Sequence, residues 1–170
     1  MQQPLVLIYN LTFCGTFTAM QLTQHTDYAF RVLLYSLAHS DRLVTITEIA
    51  NYYQVSRSHL AKVVANLTQK GYLIGVRGQR GGLKLAKKAK HINLGQLVEQ
   101  FEPLDIVECF QKSTNCVISP SCHLKKVLGE AKKAFLDVLS GYTLADIALS
   151  EQELLQAANE QLIQIKHEKS

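Results

Sequence analysis

Between Glu48 and Glu99 the chain has no aspartate or glutamate at all. The same stretch carries nine of its 18 lysines and arginines: Arg57, Lys62, Lys70, Arg77, Arg80, Lys84, Lys87, Lys88 and Lys90. A basic segment without carboxylates suits a polyphosphate partner, because an acid beside a phosphate would repel it. A short basic run is ordinarily a solvated face, but an acid-free stretch of this length favours phosphate binding.

Long apolar runs are also missing. A membrane helix needs about 20 apolar residues, and the uncharged stretch 1–19 is interrupted by Asn10 and Thr12. It lacks the basic residues that open a signal peptide. Bulky Phe13 precedes Cys14, where lipid attachment would want a small residue. We therefore expect Met20 to be the natural start, residues 1–19 to be an over-extended N-terminus, and the protein to be cytoplasmic, without membrane contact.

No Cys-x-x-Cys knuckle occurs. Cys109, Cys116 and Cys122 follow the pattern Cys-x6-Cys-x5-Cys, while Cys14 stands apart. An odd cluster fits disulfide pairing poorly, and zinc sites of four cysteines come as paired short spacings. Three thiolates are one ligand short of an iron-sulfur set. Spacing alone points to a metal and leaves zinc and iron-sulfur open. An enzyme is not expected: Cys122 and His123 are adjacent on a helix, so they point about 100° apart, and no orienting acid or oxyanion motif accompanies them.

The 170 residues, 47% of them hydrophobic, suffice for one proper core and contain no internal repeat. A helix is expected from Thr26 as N-cap, with Asp27 in its first turn and Ala29, Phe30, Leu33, Leu34 and Leu37 as its stripe, to about His39. Thr45 introduces a short second helix to Tyr53. After a tight turn at Gln54 and Val55, Ser56 caps a third helix that buries Leu60, Val63, Val64 and Leu67 and ends at Gly71. This is a helix-turn-helix. Leu73, Ile74 and Val76, a turn with Gly78, Gly81 and Gly82, then Leu83 and Leu85 predict a β-hairpin, that is, a wing. Asn93 caps a helix from Leu94 to Phe101, closed by Pro103. A loop follows to Ser121. A long helix from Cys122 to Leu139 presents Leu124, Val127, Leu128, Ala131, Phe135, Val138 and Leu139 as core or dimer seam. Beyond Gly141, Thr143 caps a turn to Leu149, and a last helix is expected over Glu151–Ile165. The fold class is mainly α with a small β-hairpin: a winged helix-turn-helix over 20–90, a helix and cysteine loop over 91–122, and a dimerisation helix with a C-terminal tail over 123–170.

Ser56, Arg57, Ser58, His59 and Lys62 occupy the polar start of the third helix. A groove-reading helix needs this division, since its N-terminus offers N–H groups and positive dipole to phosphate while short polar side chains reach base edges. Arg77 and Arg80 flank the wing's glycine turn, where a guanidinium can enter a narrow minor groove.

Over Met20 to about Ala148 the sequence resembles the NsrR and IscR family of winged-helix iron-sulfur regulators. The matching pieces are MQLTQHTDYAFRVLLY, VSRSHLAKVVANLTQKGYL, VRGQRGGLKL, the LVEQFEPL run at Leu97–Leu104, the three cysteines and the closing YTLADI. The TDY at Thr26–Tyr28, the CHLKKVL run and TLADI bring it nearest to the NsrR branch, which implies a nitric-oxide-sensitive repressor. The resemblance implies a homodimer on a double-stranded DNA operator, with one 4Fe-4S or 2Fe-2S cluster per subunit. It makes Asp27 of the partner subunit the fourth ligand beside Cys109, Cys116 and Cys122. In the IscR branch a histidine three residues after the last cysteine takes that role, where this chain has Lys125; His123 is the nearest substitute. Ala61 replaces the acid of the IscR-type recognition helix, so the operator preference expected is that of the NsrR branch. The rival readings are a regulator of the same fold sensing iron or cluster supply and a zinc-stabilised DNA-binding protein.

Overall fold

Three helices, a hairpin, two further helices and a short helical tail follow one another along the chain in this computed structural model, which describes residues 22–110, 116–118 and 121–157. The stretch 1–19 and the end of the helix expected to Ile165 lie outside the described residues.

Helix α1 (Gln24–Ala38) starts one turn earlier than the sequence suggests. Thr23, not Thr26, is the N-cap, and its side chain accepts from the Thr26 backbone N–H at 3.3 Å. Either threonine satisfies the local chemistry of a cap; tertiary burial decides, because Thr26 is wholly buried in the first turn. Helix α2 (Ile46–Tyr53) opens with the reciprocal bonds of a capping box between Thr45 and Glu48. It stops at Gln54, whose φ of 53° is left-handed. That single residue turns the chain into α3 (Arg57–Gln69), which ends before Gly71 at φ 72°. Each helix turns its apolar stripe inward: Val32 and Leu33, Ile49, then Leu60, Val63 and Leu67 form one core with Leu73 and Leu83 of the hairpin.

Strands β1 (Leu73–Val76) and β2 (Gly82–Leu85) pair antiparallel, with Leu73 opposite Leu85 and Val76 opposite Gly82. The hairpin is anchored through β2, where Val44 and Leu83 exchange both backbone bonds at 3.1 and 2.7 Å. A Cβ on Gly82 would sit 2.8 Å from the Val44 carbonyl oxygen, so that close approach requires glycine.

Asn93 caps α4 (Leu94–Phe101) through the Gln96 N–H at 3.0 Å and donates to the Ser140 carbonyl at 2.7 Å. One side chain therefore ties the start of α4 to the end of α5 (His123–Ser140). The two helices meet through Gly95, whose missing Cβ admits the α5 backbone at Leu136 and Ser140. Most of the stripe read as core or dimer seam is not core of this chain: Leu139 packs against the core, but no α5 residue is buried, and Leu124, Val127 and Val138 are 63, 58 and 64% exposed. The physical reason is rotational. Leu136 and Ser140 lie on the α4 side, and the apolar stripe lies on another face of the same helix. Past a turn in which Thr143 N and Oγ1 bond Asp146, residues 151–157 are helical and return Leu154 to the core. Tyr52 Oη donates to the Leu154 carbonyl at 2.6 Å. Among the described residues no helix is long and apolar enough to cross a membrane.

Candidate nucleic-acid interface and cysteine site

The buried row on α3 (Leu60, Val63, Val64, Leu67) leaves Ser56, Arg57, Ser58, His59 and Lys62 exposed on the opposite side. Ser56 holds the N-cap position but makes no capping bond; its hydroxyl pairs with that of Ser58 at 2.7 Å. The start of α3 is thus uncovered by its own cap side chain, and its positive end faces outward beside Arg57. His59 and Lys62 line a groove against Gln24, His25 and Tyr28 of α1. In the hairpin, Arg77 and Arg80 are exposed on either side of Gly78, at φ 120°, and the turn closes through Gly81 N–H to the Gly78 carbonyl at 2.9 Å.

Behind the helix-turn-helix stands a polar triad. Glu48 accepts from Arg42 at 2.5 Å and from Tyr35 Oη at 3.0 Å. The Arg42 guanidinium holds the Glu48 carboxyl below the usual carboxylate range, against the opposing effect of burial. Burial, then the Glu48 carboxylate, pushes Tyr35 up to about 12. Tyr53 is likewise pushed up to about 12, chiefly by burial. Arg31 lies over the Tyr28 and Tyr53 rings at 5.6 and 5.5 Å and pairs with Asp27 at 2.8 Å.

Cys109 sits in a one-turn 3-10 helix (Glu108–Phe110), and Cys122 is the N-cap residue of α5 without a capping bond from its side chain. All three cysteines are half-buried, and the Asp27 side chain is 44% exposed. Among the described residues no three His, Cys, Asp or Glu side chains converge on a metal-sized site. The chemistry of the donors is nonetheless of the kind an iron-sulfur group takes: three soft thiols partly shielded from water, one of them at the start of α5. Sequence reasoning missed Glu102, which bonds the start of α1. No local pattern announces it, since its partners are 76 and 79 residues away.

A helix-turn-helix followed by a two-stranded wing is the architecture of a winged-helix transcription regulator. Residues 22–150 match the family described as Rrf2, iron-dependent transcriptional regulator, and the chain belongs to that family. An HTH-type transcriptional regulator NsrR of Oceanobacillus iheyensis is 50% identical over 139 residues, 80% of this chain and 95% of that protein. Its namesake in Halalkalibacterium halodurans is 45% identical over 138 residues, 79% and 94% of the two chains. Among solved structures, T. potens IscR superposes with a TM-score of 0.60 at 25% identity, covering 76% of this chain and 86% of that one. CymR, the global cysteine regulator of B. subtilis, gives 0.60 at 20% identity over 76% and 97%, a likeness of fold. These relatives are transcription regulators, not enzymes.

Proposed function

We propose that this chain is a cytoplasmic, homodimeric repressor that holds a double-stranded DNA operator and releases it when nitric oxide reaches an iron-sulfur cluster bound by Cys109, Cys116 and Cys122. The observation that carries this reading is the set of three half-buried thiols between the end of α4 and the start of α5, in a chain 50% identical to a protein named NsrR. Asp27 of the partner subunit supplies the fourth ligand, its exposed carboxylate leaving Arg31 to do so. These residues would hold one cluster per subunit, either 4Fe-4S or 2Fe-2S, which when bound would offer iron to nitric oxide. Every other part is the protein's own. The start of α3, through Ser56, Arg57, Ser58, His59 and Lys62, lies in a major groove; Arg77 and Arg80 of the wing reach the flanking minor groove. Two α5 helices meet through Leu124, Val127, Phe135 and Val138, whose exposure in one chain a second copy removes.

Anaerobic purification with iron and sulfide assay tests this directly. Cys109→Ala, Cys116→Ala and Cys122→Ala should each lose the cluster and high-affinity operator binding together; a protein carrying zinc and no sulfide would overturn the reading. The family's description as iron-dependent favours a second reading, a sensor of iron supply. It predicts operator release on iron chelation with no response to nitric oxide while the cluster is intact.

A further inference from the structure

We infer that Glu102 is a positioning residue that transmits the state of the cysteine loop to α1 and, through it, to the recognition helix α3. Glu102 is the C-cap of α4, and Pro103 follows it, so the chain leaves the helix at this residue on its way to Cys109. Its carboxylate reaches back to the start of α1. It accepts from the Thr23 backbone N–H at 3.0 and 3.1 Å, from the Thr23 hydroxyl at 3.0 Å and from the Thr26 hydroxyl at 2.5 Å. An anion at a helix N-terminus meets unsatisfied N–H groups and the positive end of the dipole, and bonds to a charged acceptor are about twice as strong as neutral ones. By contrast the local cap, Thr23 to the Thr26 N–H, is long at 3.3 Å. The charged cap of α1 therefore comes from the residue that launches the cysteine loop.

The neighbouring residue extends the link. Phe101 stacks on His25 with ring centroids 5.7 Å apart, and His25 Nε2 lies 3.0 Å from Asn66 Nδ2 on α3. Two consecutive residues at the end of α4 thus hold the first turn of α1, and His25 passes that hold to α3. A pull on the loop at Pro103 acts first on the Glu102 carboxylate, and its withdrawal uncaps α1 within one chain. What moves the loop is, in this inference, the cluster chemistry proposed above; the clamp itself is independent of it. A clip that merely stabilises the fold would lower melting temperature without altering how loop and α3 respond to one another, so coupling is the quantity to measure.

The test uses the full chain, wild type, Glu102→Ala and Glu102→Gln, with amide hydrogen exchange over 23–28 and 57–66 and binding to a duplex selected from a random pool by the cluster-loaded wild type. Glu102→Ala should raise exchange at 23–28 by about five- to tenfold, the local opening expected when a helix loses its cap. It should keep the cluster spectrum and bind the duplex at the cluster-free affinity whether loaded or not. Glu102→Gln, which retains an acceptor oxygen on the same stem, should recover part of the difference. An unchanged loaded-to-unloaded affinity ratio, or unchanged exchange at 23–28, in Glu102→Ala overturns the relay. Alkylation of the loop thiols with N-ethylmaleimide moves the loop without any cluster: it should raise exchange at 23–28 in the wild type and add nothing in Glu102→Ala. If that response holds while no cluster loads, the sensing reading fails and the relay stands; if the cluster loads and the response is absent, the relay alone fails.

Discussion

Arg57, at the start of α3, and Arg77, in the hairpin turn, are both exposed and carry no ion pair among the described residues. If each touches DNA directly, Arg57→Ala and Arg77→Ala should each weaken operator binding by about 1–3 kcal/mol without loss of cluster absorbance; fluorescence anisotropy measures it, and unchanged binding by both variants would refute the docking. Asp27→Ala removes a carboxylate that water or a thiol can replace, so it should keep a cluster with an altered spectrum and a faster response. Mixing Asp27→Ala chains with cysteine-variant chains should restore a wild-type-like spectrum only if the ligand crosses between subunits. The Tyr35, Arg42 and Glu48 triad has consequences at both ends of the pH scale. Glu48 has a lowered pKa in the folded state, so its contribution to stability is present above the unfolded value of 4.5 and is lost as pH falls through the folded value. Tyr35 has the opposite sign: raised from 10.0 to about 12, it contributes fully below 10.0 and fades as pH rises toward 12. Thermal melts across pH should show both limbs, and Glu48→Gln should flatten the acid one; an acid limb unchanged by that substitution would contradict the triad's role.

Elements declared by their own local chemistry were legible in the sequence. Thr45 opens α2, Gly71 and Gly78 sit where φ is positive, Asn93 caps α4, and the two apolar runs about a glycine turn are the strands of the hairpin. What the sequence left unread is long-range. Thr23 and Thr26 are equivalent caps until Glu102 and burial choose between them, and α5 carries an apolar stripe whose covered or open state depends on which face α4 takes. That choice is made at Gly95: a Cβ there would lie 2.9 Å from Ser140 N and 3.0 Å from the Leu136 carbonyl oxygen. Gly95→Ala must push α4 and α5 apart, and overpacking of this kind costs about 1–3 kcal/mol. The melting temperature should fall accordingly, and an unperturbed melt would show that the two helices are not in close contact. On the outer face, Val127→Glu places a charge in the proposed seam of two α5 helices and should convert the dimer to monomer in sedimentation equilibrium. A dimer that survives it would move the interface elsewhere.

At the scale of the whole molecule, one contiguous core runs from the helix-turn-helix to α4 and the tail. The core of α1, α2, α3 and the hairpin is joined to α4 by Leu94, Leu97 and Phe101, and Leu154 of the tail closes onto the same cluster. The family and the winged-helix class could be read from the chain because their motifs lie in short contiguous runs; the three cysteines could be named but not assembled, since Cys109 stands in a 3-10 turn and Cys122 at the start of α5, and among the described residues no three such donors converge. In the proposed dimer the two α3 helices must stand about 34 Å apart, one turn of DNA, to occupy both half-sites. A change of that spacing is all that release requires. The most direct test is one titration: nitric oxide added stepwise and anaerobically to the cluster-loaded dimer on its operator, with visible absorbance and anisotropy followed in the same cuvette. The cluster absorbance and the bound fraction should fall together, and Cys122→Ala should show neither signal at the outset; full operator binding persisting after the absorbance has bleached would rule out release through the cluster.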